Sequence, residues 1–182
     1  YNLQEKAKAN KQHIVLPEGT DPRILKATEI LVGQNVADIT LLGNEDEIMN
    51  AIRRHGRRIE PETIKIVEPK NSPDFFNYVE TLYNLRKHKG LTLEKARDIM
   101  LDVSYFGTMM VFKGDADGMV SGAVHTTLHT IKPALQFVKT KPGFSVMSSI
   151  FFMCLEDRVL VYGDCAVNPK PTAEELAEIA IS

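Results

Sequence analysis

The chain has 182 residues, 43% of them hydrophobic and 25% charged, and carries a net charge of −2. This composition can bury a sizeable core, and its charge balance excludes a chain drawn by bulk charge to nucleic acid or to an anionic membrane. No run of eighteen apolar residues and no secretory leader is legible, so a protein of the cytoplasm, without a membrane partner, is expected.

Asn2–Lys11 is polar and alanine-rich and suggests a short surface helix. His13–Pro17 (HIVLP) is a compact apolar run, hence a buried strand closed by Glu18-Gly19. Asp21-Pro22 opens a helix with a capping side chain and a proline at the first helical position. Ile24, Leu25, Thr28, Leu31 and Val32 then repeat at helical spacing. Asp38–Leu42 is a second strand, and Asn44 with Glu47 opens a helix running to His55. Ile64–Val67 is a third strand. Strands alternating with helices predict βαβ units and a parallel sheet covered on both faces.

Ser72-Pro73 is expected to start a long helix with Phe75, Phe76, Val79, Leu82 and Tyr83 facing inward and Gly90 as its stop. Thr92 caps a helix over Leu93–Leu101, and Tyr105–Phe112 is read as helix. Met119-Val120, between Gly118 and Gly122, reads as a strand end entering a tight turn. A helix carrying Ala134, Leu135 and Val138 is expected after Lys132-Pro133. Lys139–Gly143 is a polar breaker and the best boundary candidate, giving a first α/β domain over 1–140 and the beginning of a second over 141–182. Beyond it, Phe144–Leu155 reads as a long apolar strand joined through Glu156-Asp157 to an antiparallel partner, Arg158–Tyr162. Thr172 and Glu175 form a capping box for the terminal helix. Cys154 and Cys165 are expected as buried free thiols. Tyr1 in place of Met, and a helical pattern running into Ser182, read as cut ends.

The chemistry concentrates between Asp117 and Gln136. A small-residue turn leaving a strand and entering a helix exposes backbone N–H groups. Ser121, Thr126, Thr127, Thr130 and Lys132 add hydroxyls and an ammonium, so the stretch makes an anion cradle or, alternatively, a threonine-rich helix cap. His125 and His129 stand four apart, a metal-ligand spacing with no recognisable third ligand. Arg53, Arg54, Arg57 and Arg58 read as a solvated helix end. In Arg86-Lys87-His88-Lys89, Arg86 could turn inward as a fork-shaped anion clamp. Asp164 is a general base or a loop-capping carboxylate.

The segments HIVLPEGTDPR, LRKHKG, YFGTMMV, DGMVSGAVHTT, KPALQFVKTKPG and SSIFFMCLEDRVLVYGDCAVNPKPTAEELAEIAIS together resemble the phosphate acetyltransferases, over essentially the whole chain. The resemblance implies a three-layer α/β/α domain with a mostly parallel sheet, like the isocitrate and isopropylmalate dehydrogenases, followed by the start of a second α/β domain. It implies interconversion of acetyl phosphate and coenzyme A with acetyl-CoA and phosphate. Coenzyme A is then a substrate; no covalently bound cofactor and no metal is required.

In the same resemblance Arg86 corresponds to a phosphate-binding arginine. Lys132 falls where the family has a second arginine, which keeps the charge but loses the planar bidentate fork. The family's small-hydroxyl substrate positions fall on Ser121, Gly122, His125, Thr126 and Thr127. The family's enzymes are nearly twice as long, and their general base falls beyond Ser182, so this chain alone is expected to be inactive. A homodimer or higher homo-oligomer is expected. Two alternatives stay open: a phosphate butyryltransferase-type enzyme, and a non-catalytic metabolite-sensing domain of the kind appended to malic enzymes.

Overall fold

Five residues, Gln12–Leu16, form the first strand (β1), and the N-terminal part of the chain is laid out around it. β1 pairs in parallel with β2 (Ala37–Leu42), Ile14 opposite Ile39, and on its other edge with β4 (Gly118–Met119), Ile14 opposite Gly118. β3 (Lys65–Val67) adds outside β2, giving an all-parallel sheet in the order β3-β2-β1-β4. The structure, a computed structural model, describes residues 2–181. It divides into two compact units, Tyr1–Val138 and Lys139–Ser182.

In the first unit the strands bury both faces, as parallel strands joined by helical crossovers must. Leu16, Ile39 and Leu41 pack on Leu25 of α2 (Pro22–Gly33) and on Ile48, Ala51 and Ile52 of α3 (Glu45–Arg54). Their neighbours Val15 and Leu42 point the other way. They meet Tyr78, Val79 and Leu82 of α4 (Phe75–Arg86), Met100 of α5 (Leu93–Met100), and Phe106 and Met109 of α6 (Val103–Lys113). Each such fully buried side chain is worth roughly 1.5–3 kcal/mol. The result is a sheet between two helical layers, as expected; α1 (Asn2–Ala9) precedes it.

The predicted caps form. Asp21 accepts the Arg23 N–H at 2.8 Å, Asn44 that of Glu47 at 3.1 Å, and Thr92 that of Lys95 at 3.3 Å. The start of α4 differs from expectation: Pro69–Asn71 makes a 3₁₀ turn, the Ser72 hydroxyl accepts the Asp74 N–H, and the helix proper begins at Phe75. Its end is as read, with Lys87–Lys89 tightening to 3₁₀ and Gly90, at φ 82°, stopping it.

A larger correction concerns the helix expected after Lys132-Pro133. That helix, α7 (Thr127–Pro133), starts earlier because the Thr126 hydroxyl caps it by accepting the His129 N–H. Pro133 lies in its last turn. With no N–H to return to the preceding turn, the ladder loosens there and continues as a π-turn, Ala134–Val138.

In the second unit β5 (Ile150–Cys154) and β6 (Val159–Gly163) form an antiparallel hairpin, Phe151 opposite Tyr162. The strand is much shorter than the Phe144–Leu155 run suggests. The N–H groups of Ser145 and Val146 go to the Glu178 carboxylate and that of Ser149 goes to Asp164, so they are not free for a ladder. Phe151, Phe152 and Val161 are exposed. Cys154 is exposed too and Cys165 is half-buried, against the expectation of buried thiols; both are free. α8 (Ala173–Ile181) carries the full capping box, Thr172 and Glu175 bonding reciprocally at 2.7 and 3.2 Å. No helix among the described residues is long and apolar enough to cross a membrane.

Candidate functional site

β4 delivers the chain into the stretch where the sequence concentrates its polar chemistry. Val120 still pairs with β1, its N–H donating to the Val15 carbonyl at 3.0 Å, and then the chain turns at Gly122, whose φ of 113° favours glycine. The next main-chain N–H groups converge on one point, as the cradle reading anticipates. What they hold is a side chain of the same protein. Gly122 and Ala123 donate to Glu18 Oε2 at 3.1 and 2.9 Å, and Val124 and His125 to Glu18 Oε1 at 2.6 and 2.7 Å.

Glu18 follows β1 after Pro17 and is buried, at 6% exposure. Burial acts on its carboxyl most strongly and would raise its pKa. The hydrogen bonds from His125, Val124 and Ala123 together outweigh that effect and hold it below the ordinary carboxylate value. The loop has a second tether: the Arg23 guanidinium donates to the Ala123 carbonyl and pairs with Asp21 at 2.8 Å. The Arg23 hydrogen bond, chiefly, pulls the Asp21 pKa down to about 2.

The two histidines do meet, though not as paired ligands on one helix. His125 precedes the Thr126 cap, whereas His129 lies inside α7, and their rings stack with centroids 4.6 Å apart and planes 11° from parallel. His125 Nδ1 lies 3.3 Å from Glu18 Oε1 and 3.4 Å from Ser104 Oγ, and His129 Nε2 lies 3.0 Å from Asp102 Oδ2. Among the described residues no group of three or more His, Cys, Asp or Glu side chains could hold a metal ion.

Ser121, Gly122, His125 and Thr126 are thus one loop running into Thr127 at the start of α7, and Thr130 closes it by donating its hydroxyl to Ser121 Oγ at 3.3 Å. The Thr126 hydroxyl is engaged as the helix cap. Lys132 is exposed on α7. Arg86 ends α4, half-buried; its charge acts on Tyr105, a phenol that also hydrogen-bonds the Gln136 side chain one turn beyond Lys132. Burial, chiefly, raises the pKa of Tyr105, and Gln136 and Arg86 oppose the rise. Neither Arg86 nor Lys132 makes an ion pair among the described residues. Lys87, by contrast, is spent: it donates to Asn84 at 3.0 Å and lies 5.8 Å from the centre of the Tyr83 ring.

The remaining candidates resolve into structural parts. Arg57 pairs with Glu29 at 3.2 Å, and Arg53 donates to Asn50. Asp164 ties down its own loop, accepting from the N–H groups of Val167 and Asn168 and from the Ser149 hydroxyl at 2.5 Å. The Ser149 hydrogen bond, first, holds its carboxyl far below the ordinary range. Glu18, Arg23 and Asp102 belong to the site without a sequence motif that marks them. A buried strand ending in Glu-Gly was the available hint for Glu18, but its partners lie more than a hundred residues away.

The profile of the family described as "Phosphate acetyl/butaryl transferase" matches residues 1–182. The chain is 58% identical to the phosphate acetyltransferase of Synechocystis sp. over all of its length and 26% of that protein. It is 51% identical to that of Corynebacterium glutamicum, over 98% of the chain and 54% of the relative. Among solved structures, a phosphotransacetylase from Streptococcus pyogenes aligns with a TM-score of 0.89 at 42% identity, covering 99% of this chain and 54% of the other. The chain therefore spans between about a quarter and about half of the length of these relatives.

Proposed function

The chain belongs to the phosphate acetyl/butaryl transferase family, and on that premise we propose that it supplies the phosphate-binding side of a cytoplasmic enzyme interconverting acetyl phosphate and coenzyme A with acetyl-CoA and phosphate. The observation that carries this reading is the half-buried Arg86, whose guanidinium no carboxylate engages among the described residues and whose charge acts on Tyr105, the phenol that hydrogen-bonds Gln136 one turn beyond Lys132. An uncommitted guanidinium presents a planar fork of N–H donors, suited to two oxygens of a phosphoryl group.

In the forward reaction the coenzyme A sulfur attacks the carbonyl carbon of acetyl phosphate. A carbon–sulfur bond forms, the bond from that carbon to the bridging oxygen breaks, and phosphate leaves with the electron pair. The thiol proton passes to a carboxylate base that we expect C-terminal to Ser182. Arg86 and Lys132 hold the phosphoryl group, offset the charge that grows on the leaving oxygen and fix its orientation. Ser121 and Thr127 offer hydroxyl donors to the same anion, Gly122 turns the loop, and His125 and Thr126 fix it. No metal enters this scheme.

The division after Val138 supports reading 1–140 as one domain and 141–182 as the opening of another. Exposed apolar residues on β5 and β6 support self-association. The test is an intact-mass measurement with an assay of acetyl-CoA formation on the same sample, with butyryl phosphate as the comparison substrate. The 20.4 kDa chain should be inactive alone, and a longer protein containing it should transfer acetyl in preference to butyryl. Transfer by the short chain would contradict the placement of the base, and absence of transfer by the longer protein would contradict the function.

A further inference from the structure

The site contains an anion that the proposed reaction does not use. We propose that Glu18 is a positioning residue: its carboxylate is the resident anion of the Gly122–His125 loop. A substrate phosphate is then held by side chains, not by that loop's main chain, and His125 is presented with Nδ1 protonated and Nε2 free. The reference to substrate rests on the functional reading above; the rest stands without it.

The geometry leaves little room for a second anion. A carboxylate has about four lone-pair directions, and four successive N–H groups fill them, two on each oxygen, between 2.6 and 3.1 Å. The Glu18 side chain is only 2% exposed. A phosphate taking these donors would strand a buried carboxylate without partners, which is strongly unfavourable. Arg23 holds the Ala123 carbonyl, so the loop is gripped through its donors and through an acceptor.

The tautomer of His125 follows from the same carboxylate. An ionised carboxylate only accepts hydrogen bonds, and Glu18 Oε1 lies 3.3 Å from His125 Nδ1. A lone pair on Nδ1 would face that oxygen unfavourably, so the proton resides there. Ser104 Oγ, 3.4 Å from Nδ1, is then placed to accept. Stacking on His129 sets the plane of the ring. Glu18 thereby reaches the loop's chemistry through His125 without touching a substrate.

The test reads amide hydrogen exchange and amide shifts of Gly122, Ala123, Val124 and His125, together with the ring nitrogens of His125, in the full-length protein that carries this chain. The four amides should be protected, and saturating inorganic phosphate should leave their shifts unchanged. Glu18→Ala should speed their exchange by roughly tenfold or more, and added formate should slow it again. Glu18→Gln, which exchanges one acceptor for a donor, should lose part of the protection and the Nδ1–H preference of His125. Phosphate shifting all four amides in the unsubstituted protein would overturn the proposal, because the loop would then be taking the external anion. Unchanged protection and an unchanged His125 tautomer in Glu18→Gln would overturn it too, even where Glu18→Ala fails to fold. A protein with the expected amides but no acyl transfer would remove the functional reading and leave the assignment of Glu18 in place.

Discussion

Asp102 serves two helices with one carboxylate: Oδ1 caps α6 by accepting the Ser104 N–H at 2.9 Å, and Oδ2 lies 3.0 Å from His129 Nε2 in α7. The start of the helix that crosses the sheet and the first turn of the helix that follows the site loop are thus tied at one point. Loss of the cap should dominate the energetics. Asp102→Ala should destabilise the protein by about 1–2 kcal/mol in urea titration. Asp102→Asn, which still accepts the N–H, should cost well under half as much, since the Asp102 and His129 side chains are 33% and 39% exposed and solvent screens the pair. Equal losses in the two variants would assign the stability to the carboxylate's contact with His129 instead.

Gly107 in α6 sets how closely that helix approaches the sheet. A Cβ there would lie 2.8 Å from Met119 Sδ and 3.2 Å from both Leu42 Cδ1 and Val15 Cγ1. Gly107→Ala should therefore lower stability by roughly 1–3 kcal/mol despite the better helix propensity of alanine. A shift in the denaturation midpoint at constant slope checks this, and Met119→Ala in the same chain should recover part of the loss.

Acid should loosen the site loop before it loosens the core. Glu18 is held below its ordinary 4.5 and Asp21 is drawn from 3.8 to about 2, so both carboxyls favour the folded state when ionised. Their contribution is complete above pH about 4.5 and falls away as the pH drops through the folded values toward 2. Amide exchange corrected for its intrinsic pH dependence should show Gly122–His125 opening in that window while α6 stays protected. A loop equally protected at pH 7 and below pH 3 would argue against the linkage.

Lys132→Arg supplies a planar fork where the chain has a point charge. In the proposed scheme it should lower the KM for acetyl phosphate several-fold with a smaller effect on kcat. Steady-state kinetics with acetyl phosphate varied at saturating coenzyme A measures this directly, and an unchanged KM would take position 132 out of phosphate binding.

What the sequence revealed, and what it hid, divides along local and non-local physics. The caps at Asp21, Asn44, Thr92 and Thr172 and the stop at Gly90 are local and are legible as residue types at fixed spacing. The alternation of Val15 and Leu16 between two helical layers follows from a parallel strand buried on both faces. The start of α7 is not legible because Pro133 reads as a helix opener, whereas the Thr126 cap and six residues of helix come before it. The occupant of the cradle was hidden for a different reason. Converging N–H groups are visible from a glycine turn entering a helix, but only the pairing of β1 with β4 brings Glu18 beneath them.

In the proposed reaction Arg86, and not merely the basic run in which it sits, holds the phosphoryl group. The most direct test compares Arg86→Ala with Lys87→Ala in the full-length protein, measuring acetyl-CoA formation from acetyl phosphate and coenzyme A. Arg86→Ala should lower kcat/KM roughly a hundredfold or more, as for a lost charge-stabilising donor, and Lys87→Ala, whose ammonium is already engaged by Asn84, should lower it almost not at all. Small and equal effects of the two substitutions would contradict that role of Arg86.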